Sequence, residues 1–291
     1  MSALTLAVCA WPVGRPGAVA EFAAKLDRFA AEARAGGAAM LLCPEYAAME
    51  LGALAAGGPD ARAELAAVVD RAGEIVAAAA EIARRRGLWL CPGSLPMAAA
   101  GRVVNRAPLV SPAGVVRFQE KRVMTRFEAE AWGVSPGAEP AVFATPWGRV
   151  GIAICYDCEF PALVRAQVAA GAFLVLVPAC TDSMAGFNRV RLSARARALE
   201  NQCFVAVSPT VGAAPWLASL DENRGRACVF GPVDRGFPED GVLAQGAPDR
   251  AGLVFATLEP ERLAAVRAEG AVRNHRDWPE APAGAPVVAF A

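Results

Sequence analysis

Apolar positions along the chain fall into short continuous runs that alternate with longer segments of helical periodicity. Residues 4–11 form the first continuous run and predict a buried strand. Residues 18–37 follow, with Phe22, Leu26 and Phe29 at helical spacing and two glycines at the end. A buried strand followed by an amphipathic helix is the repeating unit of an α/β fold.

The same alternation continues along the chain and is nearly repeated in the second half. The first half is predicted to continue with a strand at 38–46, a long helix from Asp60 to Gly87, and strands at 88–95, 102–112 and 114–121. The second half is predicted to contain a hairpin at 141–157, helices at 160–171 and 188–201 around a strand at 172–179, strands at 203–209, 226–233 and 252–260, and a helix at 260–270. Two β-α-β-α-β halves predict a pair of sheets with helices on their outer faces, in one domain over 1–291 with 276–291 as a C-terminal tail.

Composition and charge narrow the class of protein. The 291 residues are 55% hydrophobic and 20% charged, with 29 basic and 29 acidic side chains and no block of like charge. We therefore expect no nucleic-acid partner and no acidic-membrane partner. The N-terminus lacks the basic region of a signal peptide, and no apolar run is long enough to span a membrane. Eight cysteines, mostly within apolar runs, are expected to be free buried thiols in a reducing cytoplasm.

Residue counts exclude several kinds of site. The only histidine, His275, lies in a polar C-terminal segment, so a nucleophile activated by histidine is not expected. Cys155 and Cys158 form the only C-x-x-C pair and have no partner pair, which argues against a zinc site. No glycine-rich phosphate-binding motif is present. We expect neither a metal nor an organic cofactor.

Three reactive side chains remain, each following an apolar strand: Glu45, Lys121 and Cys155. Catalytic groups gather at the ends of neighbouring strands in α/β proteins, so these three are expected to share one pocket. A thiol with a pKa of ~8.5 is only a few per cent ionised at neutral pH, so it benefits from a base or a positive field. A helix starting just after Cys155 is expected to supply part of that field. Glu45 suits the base, and Lys121 suits the cation that stabilises an oxyanion.

The motifs around these residues resemble those of the nitrilase (carbon–nitrogen hydrolase) superfamily. They are PEY at Glu45, EKRVMTRFE at Lys121 and GIAICYDCEFP at Cys155, in that order. Residues 195–207 and 231–246 also resemble segments of the family. The resemblance implies a Glu-Lys-Cys triad, a four-layer α-β-β-α sandwich with two mixed sheets, and assembly into a homodimer or a higher homo-oligomer.

The resemblance also implies a mechanism. Cys155 attacks an amide carbonyl while Glu45 takes the thiol proton. Lys121 and the backbone N–H of Tyr156, a residue we also place at the substrate, hold the oxyanion. The amine leaves, and water then hydrolyses the thioester.

A second glutamate of the family's lysine motif matches Glu128, which is expected to orient Lys121 or the hydrolytic water. The alternative for Glu128 is a surface ion pair with Arg126 or with a helix residue. The chain also departs from the family pattern, because Val123 stands where histidine is frequent and Ala227 where serine is common. The substrate of a particular subfamily is therefore not carried over.

Four further residues lie in loops that shape the substrate pocket in the family: Tyr46, Trp132, Thr181 and Asp182. Asp182 is a candidate to bind a cationic or amino group of the substrate, and the alternative is a helix cap or a solvated side chain. The two aromatic residues could equally be ordinary packing side chains.

The Cys-Tyr-Asp sequence at the nucleophile resembles the amidase-like branches more than true nitrilases, which usually carry Cys-Trp-Glu. The expected activity is hydrolysis of a small linear amide with release of ammonia. An N-carbamoyl amidohydrolase and then a nitrilase are the alternatives within the family. Outside it, the alternatives are a thiol–disulfide protein that uses Cys155 and Cys158, which leaves Glu45 and Lys121 unexplained, and a non-catalytic binding protein.

Overall fold

The computed structural model describes residues 2–279, in which fourteen strands form one curled, mixed sheet flanked by helices. The strands are β1 (Leu4–Pro12), β2 (Met40–Leu42), β3 (Trp89–Cys91), β4 (Leu95–Ala99), β5 (Arg102–Val110), β6 (Val116–Glu120), β7 (Val142–Thr145), β8 (Gly148–Ile152), β9 (Ala172–Ala179), β10 (Phe204–Ala213), β11 (Glu222–Asn223), β12 (Cys228–Phe230), β13 (Val242–Gln245) and β14 (Gly252–Leu258). The helices are α1 (Val19–Ala35), α2 (Ala61–Val69), α3 (Ala72–Arg86), α4 (Pro161–Ala169), α5 (Met184–Asn201) and α6 (Pro260–Glu269). Ala47–Leu54 and Cys155–Glu159 form 3-10 turns, and Phe127–Trp132 forms a π-helical turn. The predicted tail lies outside the described residues from position 280 onward.

The two predicted sheets are the two halves of this sheet. In the first half, β1 pairs with β2 and β14, β2 pairs with β3, and β5 pairs with β3, β4 and β6. In the second half, β8, β9 and β10 run parallel, while β7, β12 and β13 add antiparallel pairs. The halves join where Trp11 and Pro12 of β1 lie beside Thr210 and Val211 of β10.

Alternating side chains on β1 explain the layered arrangement. Leu6 and Val8 belong to the core that also contains β8 and β9, whereas Ala7 and Cys9 belong to the core beneath α1 and α3. Each fully buried Leu or Val side chain stabilises such a core by ~1.5–3 kcal/mol. Helices α4 and α5 pack on the second half of the sheet. The predicted α-β-β-α sandwich is confirmed.

The predicted helix from Asp60 to Gly87 is wrong in one respect, because the segment forms two helices. Both predicted ends are confirmed: Asp60 accepts a 2.7 Å hydrogen bond from the Ala63 N–H, and Gly87 ends α3 with a φ of 61°. Between them, the backbone at Arg71 turns to a φ of −103° and a ψ of 0°. Helix α2 packs on the turn Ala47–Leu54, while α3 packs on α1. Two different packing partners override a continuous helical pattern.

Three other segments differ from the prediction. The run LWLCPGSL forms two strands, because Gly93 has a φ of 94° and lies where a Cβ would collide with the Pro44 carbonyl. The helix predicted at 160–171 is confirmed as α4, but a 3-10 turn at Cys155–Glu159 separates it from the thiol, so the helix does not begin just after Cys155. Helix α5 begins at Met184, earlier than predicted.

All eight cysteines lie within the described part of the chain, and all are free, as predicted. Seven are buried and Cys180 is partly exposed. Among the helices of residues 2–279, none is both long enough and apolar enough to cross a membrane.

Candidate active site

The C-terminal ends of four strands meet at one cavity. Glu45 follows β2, Lys121 follows β6, Cys155 follows β8 and Cys180 follows β9. Residues 218–222, here called the wall segment, line another side of the cavity, whose volume is about 660 Å³. All the residues predicted for the site line it: Glu45, Tyr46, Lys121, Glu128, Trp132, Cys155, Tyr156, Thr181 and Asp182.

Lys121 is a buried ammonium held between two buried carboxylates. Its Nζ lies 2.8 Å from Glu45 Oε1 and 2.7 Å from each carboxylate oxygen of Glu128. Lys121 and Glu45 are each 1% exposed, and Glu128 is 2% exposed. Salt screens charges at this depth far less than surface charges, so each of the three strongly constrains the other two.

Hydrogen-bond donors surround the Glu128 carboxylate. Its Oε1 accepts a 2.6 Å hydrogen bond from the Tyr46 hydroxyl. Its Oε2 accepts hydrogen bonds of 2.8 Å from both the N–H and the hydroxyl of Thr125. The alternative of a surface ion pair with Arg126 is wrong, because Arg126 is exposed and binds Glu130 instead.

Cys155 is placed beside these charges by an unusual backbone conformation. Its φ is 47°, a left-handed value that typically costs a non-glycine residue ~1–3 kcal/mol and that the surrounding structure must hold. Its Sγ lies 3.7 Å from the carbonyl oxygen of Cys180, and burial together with the neighbouring charge of Glu45 raises the pKa of the thiol. The charge of Lys121 also acts on the thiol. The structure therefore brings Glu45, Lys121 and Cys155 together.

Burial and charge separate the pKa values of the two carboxyl groups. Burial, opposed in part by Lys121, raises the pKa of Glu45 to about 7. Burial acts in the same direction on Glu128, but the Lys121 charge and hydrogen bonds from Lys121 and Tyr46 outweigh it, so the pKa of Glu128 falls below its usual range. Burial alone lowers the pKa of Lys121, yet the two carboxylates raise it overall. Burial and then the charge of Glu45 raise the pKa of the Cys155 thiol well above its usual range. Of the two carboxyl groups that bind Lys121, Glu45 is therefore the one whose pKa lies near neutral pH.

The predicted pocket aromatics line the cavity and also make packing contacts. The rings of Tyr46 and Trp132 meet edge to face with centroids 5.0 Å apart. Trp132 Nε1 donates a 2.8 Å hydrogen bond to the Ala61 carbonyl, which ties it to α2. The Tyr156 ring packs edge to face on Phe160 at 4.9 Å. Each aromatic is thus fixed by a protein contact on one side and faces the cavity on another.

Thr181 and Asp182 lie together at the start of α5. The Thr181 hydroxyl donates a 2.8 Å hydrogen bond to the Arg224 carbonyl. Asp182 is exposed and lines the cavity. Its alternative role as a helix cap is wrong, because Ser183 is the cap and its hydroxyl accepts the Gly186 N–H at 3.2 Å.

Two buried polar residues of the site were missed by the sequence analysis. Asp157 accepts hydrogen bonds from the backbone N–H groups of Arg122 at 2.9 Å and Val123 at 2.8 Å, which ties the turn of the thiol to the segment after the lysine. Asn105 donates a 3.0 Å hydrogen bond to Glu45 Oε1. A polar residue inside the apolar run RVVNRAPLV is the sequence signal for Asn105, and Asp157 lies within the nucleophile motif itself.

The wall segment is fastened to α2 through Glu64, which is 1% exposed. The Glu64 carboxylate accepts hydrogen bonds from the backbone N–H of Ala218 at 2.7 Å and of Ser219 at 3.0 Å. This side of the cavity is therefore held by a buried anion that lies outside the group of charges around Lys121.

Cys158 belongs to the hydrophobic core rather than to the cavity. Its side chain is 0% exposed, and burial raises the pKa of its thiol to about 12. The residues that line the cavity include Cys155 and Cys180 but not Cys158. A thiol in this environment is a poor partner for dithiol exchange, since exchange requires an accessible thiolate.

Comparison with known proteins agrees with this architecture. Residues 5–268 match the family model described as carbon-nitrogen hydrolase. The chain is 36% identical over 177 residues to the probable hydrolase YhcX of Bacillus subtilis (strain 168), a match that spans 61% of this chain and 34% of YhcX. It is 30% identical over 213 residues to omega-amidase NIT2-A of Xenopus laevis, covering 70% of this chain and 73% of that protein.

Solved structures give the same result over more of the chain. A mutant of the amidase from Nesterenkonia sp. AN1, in which acrylamide has added to the active-site cysteine, superposes with a TM-score of 0.70 and 26% identity, covering 94% of this chain and 99% of that chain. The family match, the fold and the amidase relatives lead to one conclusion. The chain belongs to the carbon-nitrogen hydrolase family of the nitrilase superfamily and is an amidase-like hydrolase.

Proposed function

We propose that the protein hydrolyses a small linear amide through a thioester on Cys155 and releases ammonia. The observation that carries the proposal is the arrangement of the Cys155 thiol, the buried Lys121 ammonium and two buried carboxylates with separated pKa values around a single cavity. Names of the relatives support amide substrates in particular.

The first step joins the Cys155 sulfur to the amide carbonyl carbon. The thiol is protonated at rest, so its proton passes to ionised Glu45 as the C–S bond forms. The carbonyl π electrons move to oxygen, and the Lys121 ammonium with the backbone N–H of Tyr156 stabilises the resulting oxyanion. One such preorganised donor typically contributes ~10²–10³ in rate.

Collapse of this intermediate breaks the C–N bond. Glu45 returns its proton to the departing nitrogen, ammonia leaves, and the acyl group remains on Cys155 as a thioester. Water then attacks the thioester and gives a proton to Glu45. When the second intermediate collapses, the sulfur takes that proton back and the carboxylic acid leaves. Glu45 thus carries one proton in each direction per half-reaction, and a pKa near neutrality suits both directions.

Glu128 has a different role in this proposal. Its low pKa and its three-sided hydrogen bonding keep it ionised, so it holds Lys121 charged and in place while Glu45 changes its protonation state. When Glu45 is protonated, the Lys121–Glu128 pair is neutral as a unit, which limits the net charge buried in the site.

Two finer features belong to the same proposal. Eight free cysteines support a cytoplasmic setting, because a reducing compartment keeps thiols unpaired. The family resemblance supports a homodimer or a higher homo-oligomer. Light scattering coupled to gel filtration measures the oligomer directly, and a monomeric mass would contradict it.

The test of function is a panel of short aliphatic amides, N-carbamoyl amines and nitriles, with detection of ammonia and carbon dioxide. We expect ammonia from amides, no carbon dioxide, and hydroxamate when hydroxylamine intercepts the thioester. Cys155→Ala should abolish turnover, and the matched control Cys158→Ala should retain it, because Cys158 lies in the core. Equal activity of wild type and Cys155→Ala would exclude the proposed nucleophile.

A further inference from the structure

Asn105 on β5 contacts all three charged residues of the site. Its Nδ2 lies 3.0 Å from Glu45 Oε1 and 3.4 Å from Glu128 Oε1. Its backbone carbonyl accepts the Lys121 N–H at 2.9 Å, so the strand pairing of β5 and β6 continues to the lysine. The side chain is 0% exposed. One neutral residue thus bridges the two carboxylates and the backbone of the cation that lies between them.

The direction of the Asn105 amide follows from its neighbours. Ionised carboxylates only accept hydrogen bonds, so the NH₂ end must face Glu45 and Glu128. The opposite end, Oδ1, is buried and has no hydrogen-bond partner within the described part of the chain. A buried acceptor without a partner opposes folding. What Asn105 contributes at this position is therefore its donor.

We infer that Asn105 is a positioning residue that fixes the orientation of the Glu45 carboxylate. Lys121 and Asn105 both bind Oε1 of Glu45, which leaves Oε2 to exchange the proton with Cys155. The donor also stabilises the ionised form of Glu45 and so opposes the effect of burial on its pKa. This inference rests on the proposed function for the role of Glu45 as the base, and it adds a residue that orients the carboxylate of that base.

Removing the donor has two separable consequences. Asn105→Leu keeps a similar volume and removes the hydrogen bond, so the pKa of Glu45 should rise by about one pH unit, a tenfold change in its ionisation constant. The Glu45 carboxylate also loses one of the two contacts that hold its Oε1, so that only Lys121 still restrains it. Because Asn105 does not line the cavity, kcat should fall ~10-fold while KM stays within about twofold.

The experiment measures the rate of Cys155 alkylation by iodoacetamide as a function of pH, followed by mass spectrometry of the peptide that carries Cys155. This readout follows the formation of a stable thioether on Cys155 and requires no hydrolysis of an amide. The wild-type rate should show an inflection at about pH 7, the pKa of Glu45, and Asn105→Leu should move it upward. Asn201→Leu is the matched control, since Asn201 is equally buried and its amide donates to the Arg197 carbonyl, away from the charged site.

A double-mutant comparison separates positioning from a general structural effect. In a Glu45→Gln background no Glu45 titration remains, so adding Asn105→Leu should leave the alkylation profile unchanged. An equal shift in both backgrounds, or no shift in folded Asn105→Leu, overturns the inference. If Asn105→Leu does not fold, Asn105→Ala replaces it. If neither folds while Asn201→Leu does, Asn105 serves the fold and the inference is also overturned.

The two proposals fail in distinguishable ways. A shifted alkylation profile in a protein that hydrolyses no amide, N-carbamoyl amine or nitrile leaves the role of Asn105 intact and removes the proposed function. Amide hydrolysis by wild type, with an alkylation profile that Asn105→Leu does not move, removes only the role of Asn105.

Discussion

Replacing Lys121 by methionine tests whether the buried ammonium serves both stability and chemistry. The change keeps a long apolar stem and removes only the charged end. Two carboxylates that lie 2.7–2.8 Å from Nζ then lose their shared counter-ion inside the protein. Removing one partner of a buried ion pair costs ~3–5 kcal/mol of unfolding free energy.

The two carboxylates do not share this loss equally. Glu45 can bind a proton with little penalty near neutral pH, because its pKa is already about 7. Glu128 is held ionised in large part by Lys121, so most of the loss should come from Glu128. Adding Glu128→Gln to Lys121→Met removes that unpaired charge and should recover at least half of the lost stability, a coupling of ~2 kcal/mol.

Urea unfolding followed by tryptophan fluorescence measures the stability of both variants, and amide turnover measures their chemistry. The double variant should regain stability but not activity, because the oxyanion still lacks its cation and kcat/KM stays ~10²–10³-fold below wild type. Lys25→Met is the control: Lys25 pairs with the buried Glu50 at 2.7 Å away from the cavity, so it should lose stability and keep its activity. A double variant no more stable than Lys121→Met would refute the reasoning.

Three further changes test other contacts of the site. The pKa of Glu45 is about 7 in the folded protein against 4.5 for an unperturbed glutamate, so the folded state binds this proton more tightly than the unfolded state does. As the pH rises from about 4.5 to above 7, the free energy of unfolding of wild type should therefore fall by ~3 kcal/mol relative to that of Glu45→Gln. If the difference between the urea midpoints of wild type and Glu45→Gln does not change over that pH range, the predicted direction of the effect is wrong. Asp157→Asn replaces one carboxylate oxygen by an NH₂ group and loosens the segment after Lys121 from the turn that carries Cys155, so kcat should fall ~10-fold in steady-state assays. An unchanged kcat would mean that the hydrogen bonds of Asp157 do not position the site. Glu64→Gln disturbs the wall segment and should raise KM more than it lowers kcat, whereas a loss confined to kcat would place Glu64 in the chemistry.

Elements with a strong pattern of their own are predictable from the sequence. The continuous apolar run of β9 and the helical spacing in α1 need no distant partner to be recognised. Glu45, Lys121 and Cys155 are likewise predictable as neighbours, because each follows an apolar strand and strand ends meet in this kind of fold.

Contacts between distant segments leave no such pattern. Asp157 binds backbone groups 34 and 35 positions away, and Asn105 binds a glutamate 60 positions away. The break at Arg71 has the same origin, since α2 and α3 separate only because they pack on different partners. The 3-10 turn at Cys155 is not visible locally either, because the left-handed backbone of that residue is held by its surroundings.

The attachment of the wall segment to Glu64 has a consequence for how enzymes of this shape diversify. Glu45 and Lys121 follow strand ends, and Lys121 binds both Glu45 and Glu128, whereas the wall segment is anchored to α2. Substitutions inside the wall can therefore remodel the mouth of the cavity without displacing the reacting atoms. A randomised library confined to residues 218–222, with Glu64 retained, should therefore change the substrate preference while the charged residues around Lys121 stay in place.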